Sequence, residues 1–466
     1  MAFEILEKPF QTFEKHIGLI FHNEILSDML NKNTLNYQIL RLTIPNIITN
    51  ITIPLLGMVD TAIVGHIANN GVENDYIGAV AVGSMIFNFL YWGFGFLRMG
   101  TSGFTAQAYG AKNDNEQIDI LTRALTIGLS VALLILTFQM PIARLAESVI
   151  EDKNNVMSLA LEYFFIRIWA APAVLGMYAL KGWFIGMQDS KTPMYTAIVI
   201  NVVNIVFDLI FVMGFSMTIK GVALATIISQ YSGLALISII FLVRHRRKYN
   251  ISLKRALHWD KMRLFFKVNG DIFLRTICII AVTTYFTIAS STHPYPTLAI
   301  NTLIMQLFSL FSYFMDGFAY ACESLCGKYY GANDSIGLKQ VVKRVILWGT
   351  ALAVLCSLLY AFFSKEIISI LTDKPEVIAA IDNYILWLVL IPITGFLAFL
   401  YDGILIGMTK SKIMRDAIFV STAMFFASYF LLNQTNNALW LGFILYLSGR
   451  SVLMFVFSYK KIFRLE

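Results

Sequence analysis

Charge is the scarcest ingredient of this chain. Only 14% of its 466 residues are Asp, Glu, Lys or Arg, against about 25% in an ordinary soluble domain. A large soluble domain does not fit that balance. Cysteine is sparse too, with four residues, Cys278, Cys322, Cys326 and Cys356, all in apolar stretches. Cys322 and Cys326 share a helix face, but no further Cys or His cluster completes a metal site, and the four read as buried thiols. The six histidines never pair at ligand spacing. No cluster of His, Asp or Arg stands at one end of the apolar segments, as a membrane acyl or glycosyl transferase would need. These absences leave no expected catalytic residue, metal or cofactor.

What the chain has in abundance is apolar length. It is 57% hydrophobic, with a mean hydropathy of +0.67. Twelve segments approach the roughly 20 residues a helix needs to cross a bilayer. They fall near 41–67, 76–108, 122–143, 158–184, 192–215, 220–243, 264–290, 296–328, 341–363, 380–407, 412–432 and 438–459. The expected fold is therefore an all-α integral membrane protein in a lipid bilayer. Residues 1–38 carry no clean apolar run and no cleavable signal peptide. They read as an N-terminal extension, with a short amphipathic surface helix around Phe10–Phe21 as one reading, a dispensable tail as another, and Met29 as an alternative start.

The net charge of +7 sits in short connections rather than on a nucleic-acid-binding face. The longest, 244–263, holds Arg244, Arg246, Arg247, Lys248, Lys254, Arg255, Lys261 and Arg263. Connections on the other side hold Glu73, Asp75, Glu151, Asp152, Asp373 and Glu376. The positive-inside bias predicts that both termini and the 244–263 linker are cytoplasmic.

Two short runs recur at one offset. Tyr109-Gly110-Ala111 returns as Tyr330-Gly331-Ala332, and Ile185-Gly186-Met187 as Ile406-Gly407-Met408, each 221 residues later. Together with twelve spans, this predicts two similar six-helix lobes, 39–243 and 264–466, joined by the 244–263 linker. Six spans is an even number, so both lobes enter the membrane in the same direction. Their pseudo-symmetry axis then lies along the membrane normal, with a pathway between them. Pro54 and Gly57 in the first span mark an expected hinge, because proline withholds the N–H that would bond to Asn50.

Charges inside spans need a reason, since each costs at least about 2.5–3.5 kcal/mol at a helix centre. Asp60 follows Arg41 by 19 residues and Asp208 follows Lys191 by 17. Both carboxylates then sit about 28 and 26 Å from their basic ends, at similar depth. Asn201 and Asn204 share a helix face with Asp208. At the 221 offset, Asp60 maps to Ala281, Asn204 to Phe425 and Asp208 to Tyr429. The set therefore exists in the first lobe only. Two neighbouring carboxyls in apolar surroundings favour a bound proton, and the same oxygens with the Asn carbonyls suit Na⁺. Sequence leaves both ions open.

Other intramembrane charges have weaker patterns. Asp271 and Arg275 stand at i, i+4, a spacing that permits a pair. Asp316 and Glu323 share a face and are expected to line the second lobe's cavity. Arg98 reads as a neutralising or anchoring residue. Lys181 and Asp402 occupy equivalent places and suggest a gate pair.

The first span, Ile44-Pro45-Asn46 followed by Pro54-Leu55-Leu56-Gly57-Met58-Val59-Asp60-Thr61-Ala62 and Gly65, resembles the opening helix of the MATE (multidrug and toxic compound extrusion) transporters. Phe94 to Gly103 with Ala106-Gln107, Asn204 to Asp208 with Gly221 to Thr226, and Asn269 to Thr276 are similar to the DinF-like branch. The resemblance runs from about 40 to 460. It implies a two-lobe antiporter of the bacterial inner membrane, exporting small organic, cationic or amphipathic compounds in exchange for H⁺ or Na⁺. Asp60 would be its protonation switch, with Asp208, Asn204 and Thr226 completing the polar network. Residues 277–289 lack the acidic residue that some members carry in the seventh helix. A monomer is expected. The alternatives are a lipid-linked oligosaccharide or lipid flippase of the wider superfamily, a membrane transferase and a passive channel.

Overall fold

Among the described residues, twelve helices are long and apolar enough to cross a membrane. They are α1 (Leu35–Gly65), α2 (Tyr76–Gly110), α3 (Asp114–Thr137), α4 (Val156–Gly186), α5 (Lys191–Gly214), α6 (Ile219–Arg244), α7 (Trp259–Ser291), α8 (Tyr295–Gly331), α9 (Ser335–Leu371), α10 (Ile385–Gly407), α11 (Ser411–Leu431) and α12 (Asn436–Tyr459). The computed structural model describes residues 34–65, 76–149, 156–245 and 249–463. Residues 1–33, Glu73, Asp75, Glu151, Asp152 and Arg246 to Lys248 lie outside the described residues; residues 35–38, expected in the N-terminal extension, form the first turn of α1 instead.

The structure moves several expected boundaries, each for a local reason. α3 starts at Asp114, ahead of its apolar stretch, because Asn113 caps it by accepting the Glu116 N–H at 3.0 Å. α7 starts at Trp259, so the linker is shorter than 244–263 and carries the short helix Leu253–Ala256. The stretch before α10 is not part of that span. It forms a separate helix, Pro375–Ala380, and a 3₁₀ turn, Ile381–Asn383.

The duplication is visible atom by atom. Four helices end on the face that bears the linker, hereafter the linker face, in the same way. At the end of α2, the N–H of Lys112 donates to Tyr109 and that of Asn113 to Ala108; α8 repeats this with Asn333 to Tyr330 and Asp334 to Tyr329. α4 and α10 form the second such pair, with Gln188 to Ile185 and Asp189 to Phe184 matched by Thr409 to Ile406 and Lys410 to Leu405. These are Schellman closures, which need one left-handed residue each. Lys112, Asn333, Gln188 and Thr409 supply it, with φ of 54°, 55°, 65° and 51°. The recurring Tyr-Gly-Ala runs also explain themselves. Gly110 on α2 packs against the Lys328 carbonyl of α8, and Gly331 on α8 against the Gln107 carbonyl of α2. Gln107 and Lys328 are themselves 221 apart, so the contact is reciprocal, as a two-fold relation requires. α2 and α8 run in the same direction, which sets that axis along the membrane normal.

Each lobe has its own apolar cores, one toward each face of the membrane. The boundary is not clean at α1: Ile39 and Leu42 are buried in the core of the second lobe. α1 runs unbroken through Pro45 and Pro54. Other spans are irregular. α2 has a 3₁₀ turn at Gly93–Gly95, α4 one at Ile168–Ala170, and α5 a π segment at Leu209–Gly214.

Candidate functional site

Five helices of the first lobe converge on one buried polar set in the half of the membrane away from the linker face. Asp60 stands five residues before the end of α1, and Asp208 immediately before the π segment of α5. α6, α4 and α2 enter from that same side and bring Thr226, Tyr163 and Ser84 one to two turns in. Equal depth on neighbouring helices is what allows these side chains to meet. Asp208 and Asn204 are fully buried, and Asp60, Thr226 and Tyr163 nearly so.

The two carboxyl groups of Asp60 and Asp208 touch, a contact that becomes a hydrogen bond when one carries a proton. Among the described residues, Asp60 Oδ1, both Asp208 oxygens and both amide atoms of Asn204 have no donor or acceptor. Buried polar atoms are otherwise almost always paired, which sets these apart from most other buried polar groups of the lobe. Thr226 donates to the Val222 carbonyl at 3.0 Å and touches the Tyr163 hydroxyl. Asn201 does not join the carboxyls; it donates to the Thr52 carbonyl of α1 at 3.1 Å, two residues before Pro54.

One cation completes the set, and the sequence patterns did not single it out. Arg167 on α4 donates to the Tyr163 hydroxyl at 2.7 Å and to Ser84 at 3.2 Å, lies over the Phe87 ring, and faces Asp60 electrostatically. The signal was a lone arginine in the fourth span, and its 221 counterpart is Leu388. Two carboxyls and one guanidinium leave one net negative charge, which a single monovalent cation neutralises.

At the linker face the lobes are sealed. Arg98 on α2 forms a two-pronged ion pair with Glu323 on α8, at 3.1 and 3.3 Å, with its guanidinium 4.0 Å from the centre of the Tyr320 ring. Gln107 donates to the Gly407 carbonyl at 2.8 Å and to Thr409 at 3.1 Å. Ser324 donates to the Ile185 carbonyl and Gln188 to the Ser324 carbonyl, both at 2.7 Å. Midway along α1, Asn50 donates to the Tyr313 carbonyl of α8. Pro54 therefore divides α1 into a portion tied to both lobes and a portion that carries Asp60 within the first.

The MatE family model matches residues 45–210 and 271–431. The chain belongs to the MATE family. It is 35% identical over 415 residues to DNA damage-inducible protein F of Escherichia coli (strain K12), covering 88% of this chain and 89% of that one. It is 26% identical to the Arabidopsis thaliana Protein DETOXIFICATION 44, chloroplastic, over 89% of this chain and 80% of that one. Its fold is that of a solved multidrug resistance MATE family transporter in an outward-facing conformation, with a TM-score of 0.77 at 19% identity over 91% of this chain and 95% of that one. The family consists of membrane transporters, and the polar set is read below in that light.

This MATE chain pairs its second-lobe charges differently from the spacing-based expectation. Asp271 and Arg275 do not pair with each other. Asp271 accepts from Ser411 and Arg415 on α11, at 2.8 and 2.7 Å, while Arg275 engages Asp402 on α10. A spacing of i, i+4 permits a bond, but fixed partners on packed helices offer better geometry. Asp402 is also held by Arg450 of α12 at 2.8 Å. Asp402 therefore forms no gate pair with Lys181, which lies beside Arg98 instead. Arg450, another intramembrane arginine, was not singled out from sequence. Glu323 is buried in the lobe-to-lobe seal rather than lining a cavity, whereas Asp316 on the same helix is half-buried and near Arg98, Arg275 and Asp402. Among the described residues no group of three or more His, Cys, Asp or Glu is placed to hold a metal ion, and all four cysteines are free.

Proposed function

We propose that this protein exports small organic compounds, cationic or amphipathic, in exchange for protons, by alternating access across a bacterial inner membrane. It works as a monomer, with the basic linker face and both termini toward the cytoplasm, as the distribution of Lys and Arg favours. The observation that carries the reading is the buried contact between Asp60 and Asp208 beside Arg167, in which three of the four carboxyl oxygens have no donor among the described residues. One proton shared between the carboxyls balances the set. Na⁺ would also balance it, but several oxygens would have to gather around an ion already facing a resident guanidinium. The proton is therefore the favoured coupling ion.

In the proposed cycle, the sealed linker face is one end state. Protonation of the Asp60–Asp208 pair removes its net charge and weakens its hold on a cationic substrate. The portion of α1 beyond Pro54 then shifts, with Gly57 lending it freedom. When the linker face opens, the proton leaves inward and substrate binds. One-for-one exchange of H⁺ for a monovalent cation moves no net charge, so the pH difference drives it: one pH unit is worth about 1.4 kcal/mol and sustains roughly a tenfold substrate gradient.

The test is efflux of ethidium from proteoliposomes under imposed gradients. A pH gradient, acidic outside, is expected to drive efflux, and a Na⁺ gradient at constant pH to have no effect. Efflux driven by Na⁺ alone would overturn the choice of ion. Efflux indifferent to both gradients would overturn the antiport. Movement of a lipid-linked sugar in place of the dye would favour the flippase.

A further inference from the structure

We infer that the linker face of the first lobe carries a binding site for the headgroup of an anionic phospholipid. A pocket of about 550 Å³ opens there. It is built from helix ends: Arg41 in the second turn of α1, Tyr109 at the end of α2, Lys191 and Tyr195 in the first turns of α5, and Arg244 at the end of α6. Every one of these stands near a helix end on the linker face, the end that the positive-inside bias assigns to the cytoplasmic headgroups.

The charge of the pocket suits a phosphodiester. Among the described residues one carboxylate lines the wall, Asp189, and it is spent on the chain itself. Asp189 Oδ1 accepts the N–H groups of Lys191 and Thr192 at 3.1 and 3.0 Å, and Oδ2 accepts the Thr192 hydroxyl at 2.6 Å. Arg244 approaches Asp189 only to 3.7 Å. Arg41 and Lys191 have no carboxylate partner among the described residues. Three cations against one engaged carboxylate leave an excess of two positive charges facing the headgroup layer. Arg and Lys in such a position hold phosphate by charge-assisted hydrogen bonds.

The occupant is a lipid rather than a soluble phosphate because the same helices provide a place for its chains. Beyond Lys191 the outer face of α5 exposes Tyr195, Ile198 and Val202, and before Arg244 that of α6 exposes Ile239, Leu242 and Val243. Acyl chains can lie along this apolar surface while the phosphate sits in the basic mouth. The site is peculiar to the first lobe. At the 221 offset Lys191 keeps its charge as Lys412, but Arg41, Tyr195 and Arg244 become Met262, Asp416 and Leu465, and Lys410, the counterpart of Asp189, lies over the Tyr330 ring. A lipid here would tie α1 to α5, the two helices that bring Asp60 and Asp208 together.

Native mass spectrometry of the full-length protein in detergent tests this, with phosphatidylglycerol and phosphatidylcholine of identical acyl chains. Wild-type protein is expected to retain phosphatidylglycerol in clear preference, each cation contributing about fivefold. The triple variant Arg41→Gln, Lys191→Gln, Arg244→Gln is expected to lose the preference. The charge-keeping triple Arg41→Lys, Lys191→Arg, Arg244→Lys is expected to hold it, which separates lost charge from misfolding. Neutralising Lys339, Lys343 and Arg344 on α9 instead is expected to leave it in place. A wild-type protein that does not distinguish the two lipids, or a glutamine triple that still does, overturns the site. Release of the bound lipid by equimolar glycerol phosphate overturns the choice of a lipid.

Discussion

Asp60 and Asp402 are both buried aspartates, yet they answer to different needs. Asp402 lies between Arg275 and Arg450 and has a partner for each oxygen. Asp60 keeps an oxygen without any protein partner and touches a second carboxyl. Removing Asp402 strands two guanidinium groups, so Asp402→Ala is expected to cost about 3–5 kcal/mol of stability. Asp60→Asn relieves a contact between like groups and is expected to leave stability unchanged or raised. Thermal unfolding in detergent reads both, and a destabilised Asp60→Asn would mark Asp60 as structural. At this scale, sequence was a good guide to where charges are buried and a poor one to what they touch. Asp60 and Asp208 stood out because their cost demands an explanation and because the second lobe lacks them. The contacts of Asp271 and Arg275 did not stand out, since partners on α10 and α11 are set by packing. Arg167 and Tyr163 belong to the same site; Arg167 was legible as a lone arginine without a counterpart in the second lobe, while nothing in the flanking apolar sequence marks Tyr163.

Helix ends and helix interruptions carry the mechanics. Twelve apolar runs were legible as spans because a bilayer imposes their length, and they emerged as helices within a few residues of the expected limits. The exceptions, at α1, α3, α7, α9 and α10, start where polar caps (Thr34, Asn113 and Asp334) or short auxiliary helices set the boundary, which hydropathy does not register. The π segment after Asp208 has no proline to cause it, whereas the 3₁₀ turn after Arg167 stands just before Pro172, whose missing N–H leaves the Ile168 carbonyl without its helical donor. Such irregular turns are frequent at functional sites. Between elements, the link from α2 to α8 through Arg98 and Glu323 has no symmetric counterpart, since the equivalent residues are Ala319 and Ser102. Arg98→Glu alone places two carboxylates face to face in the seal. A thiol placed there by Thr409→Cys, in a chain with Cys278, Cys322, Cys326 and Cys356 replaced, reports on its opening. Arg98→Glu is expected to raise the labelling of that thiol by reagents from the linker side. Adding Glu323→Arg should restore protection, and labelling that ignores both changes would show that the ion pair does not hold the seal.

For the whole molecule, duplication supplies the frame and asymmetry supplies the task. Reciprocal packing of Gly110 on Lys328 and of Gly331 on Gln107 keeps the lobes equivalent at the linker face. The polar set of Asp60, Asp208, Asn204 and Thr226 belongs to one lobe. If the lobes part at the linker face during transport, a covalent bridge there must stop it. In the same cysteine-replaced background, Gln107→Cys with Thr409→Cys replaces a lobe-to-lobe hydrogen bond of 3.1 Å. Its oxidation is expected to arrest dye efflux, and reduction to restore it. Efflux that persists in the fully crosslinked protein would rule out opening at that face.

The central claim is that the Asp60–Asp208 pair releases or takes up the proton that drives transport. The most direct measurement is proton release into weakly buffered detergent solution when ethidium is added to the purified protein, followed with a pH-sensitive dye. The wild-type protein is expected to release about one proton per bound substrate at a pH where the pair holds its proton, and Asp60→Asn and Asp208→Asn to release little or none while remaining folded. Undiminished release from Asp60→Asn and Asp208→Asn, or substrate binding by the wild type without any proton release across the pH range, would contradict the account.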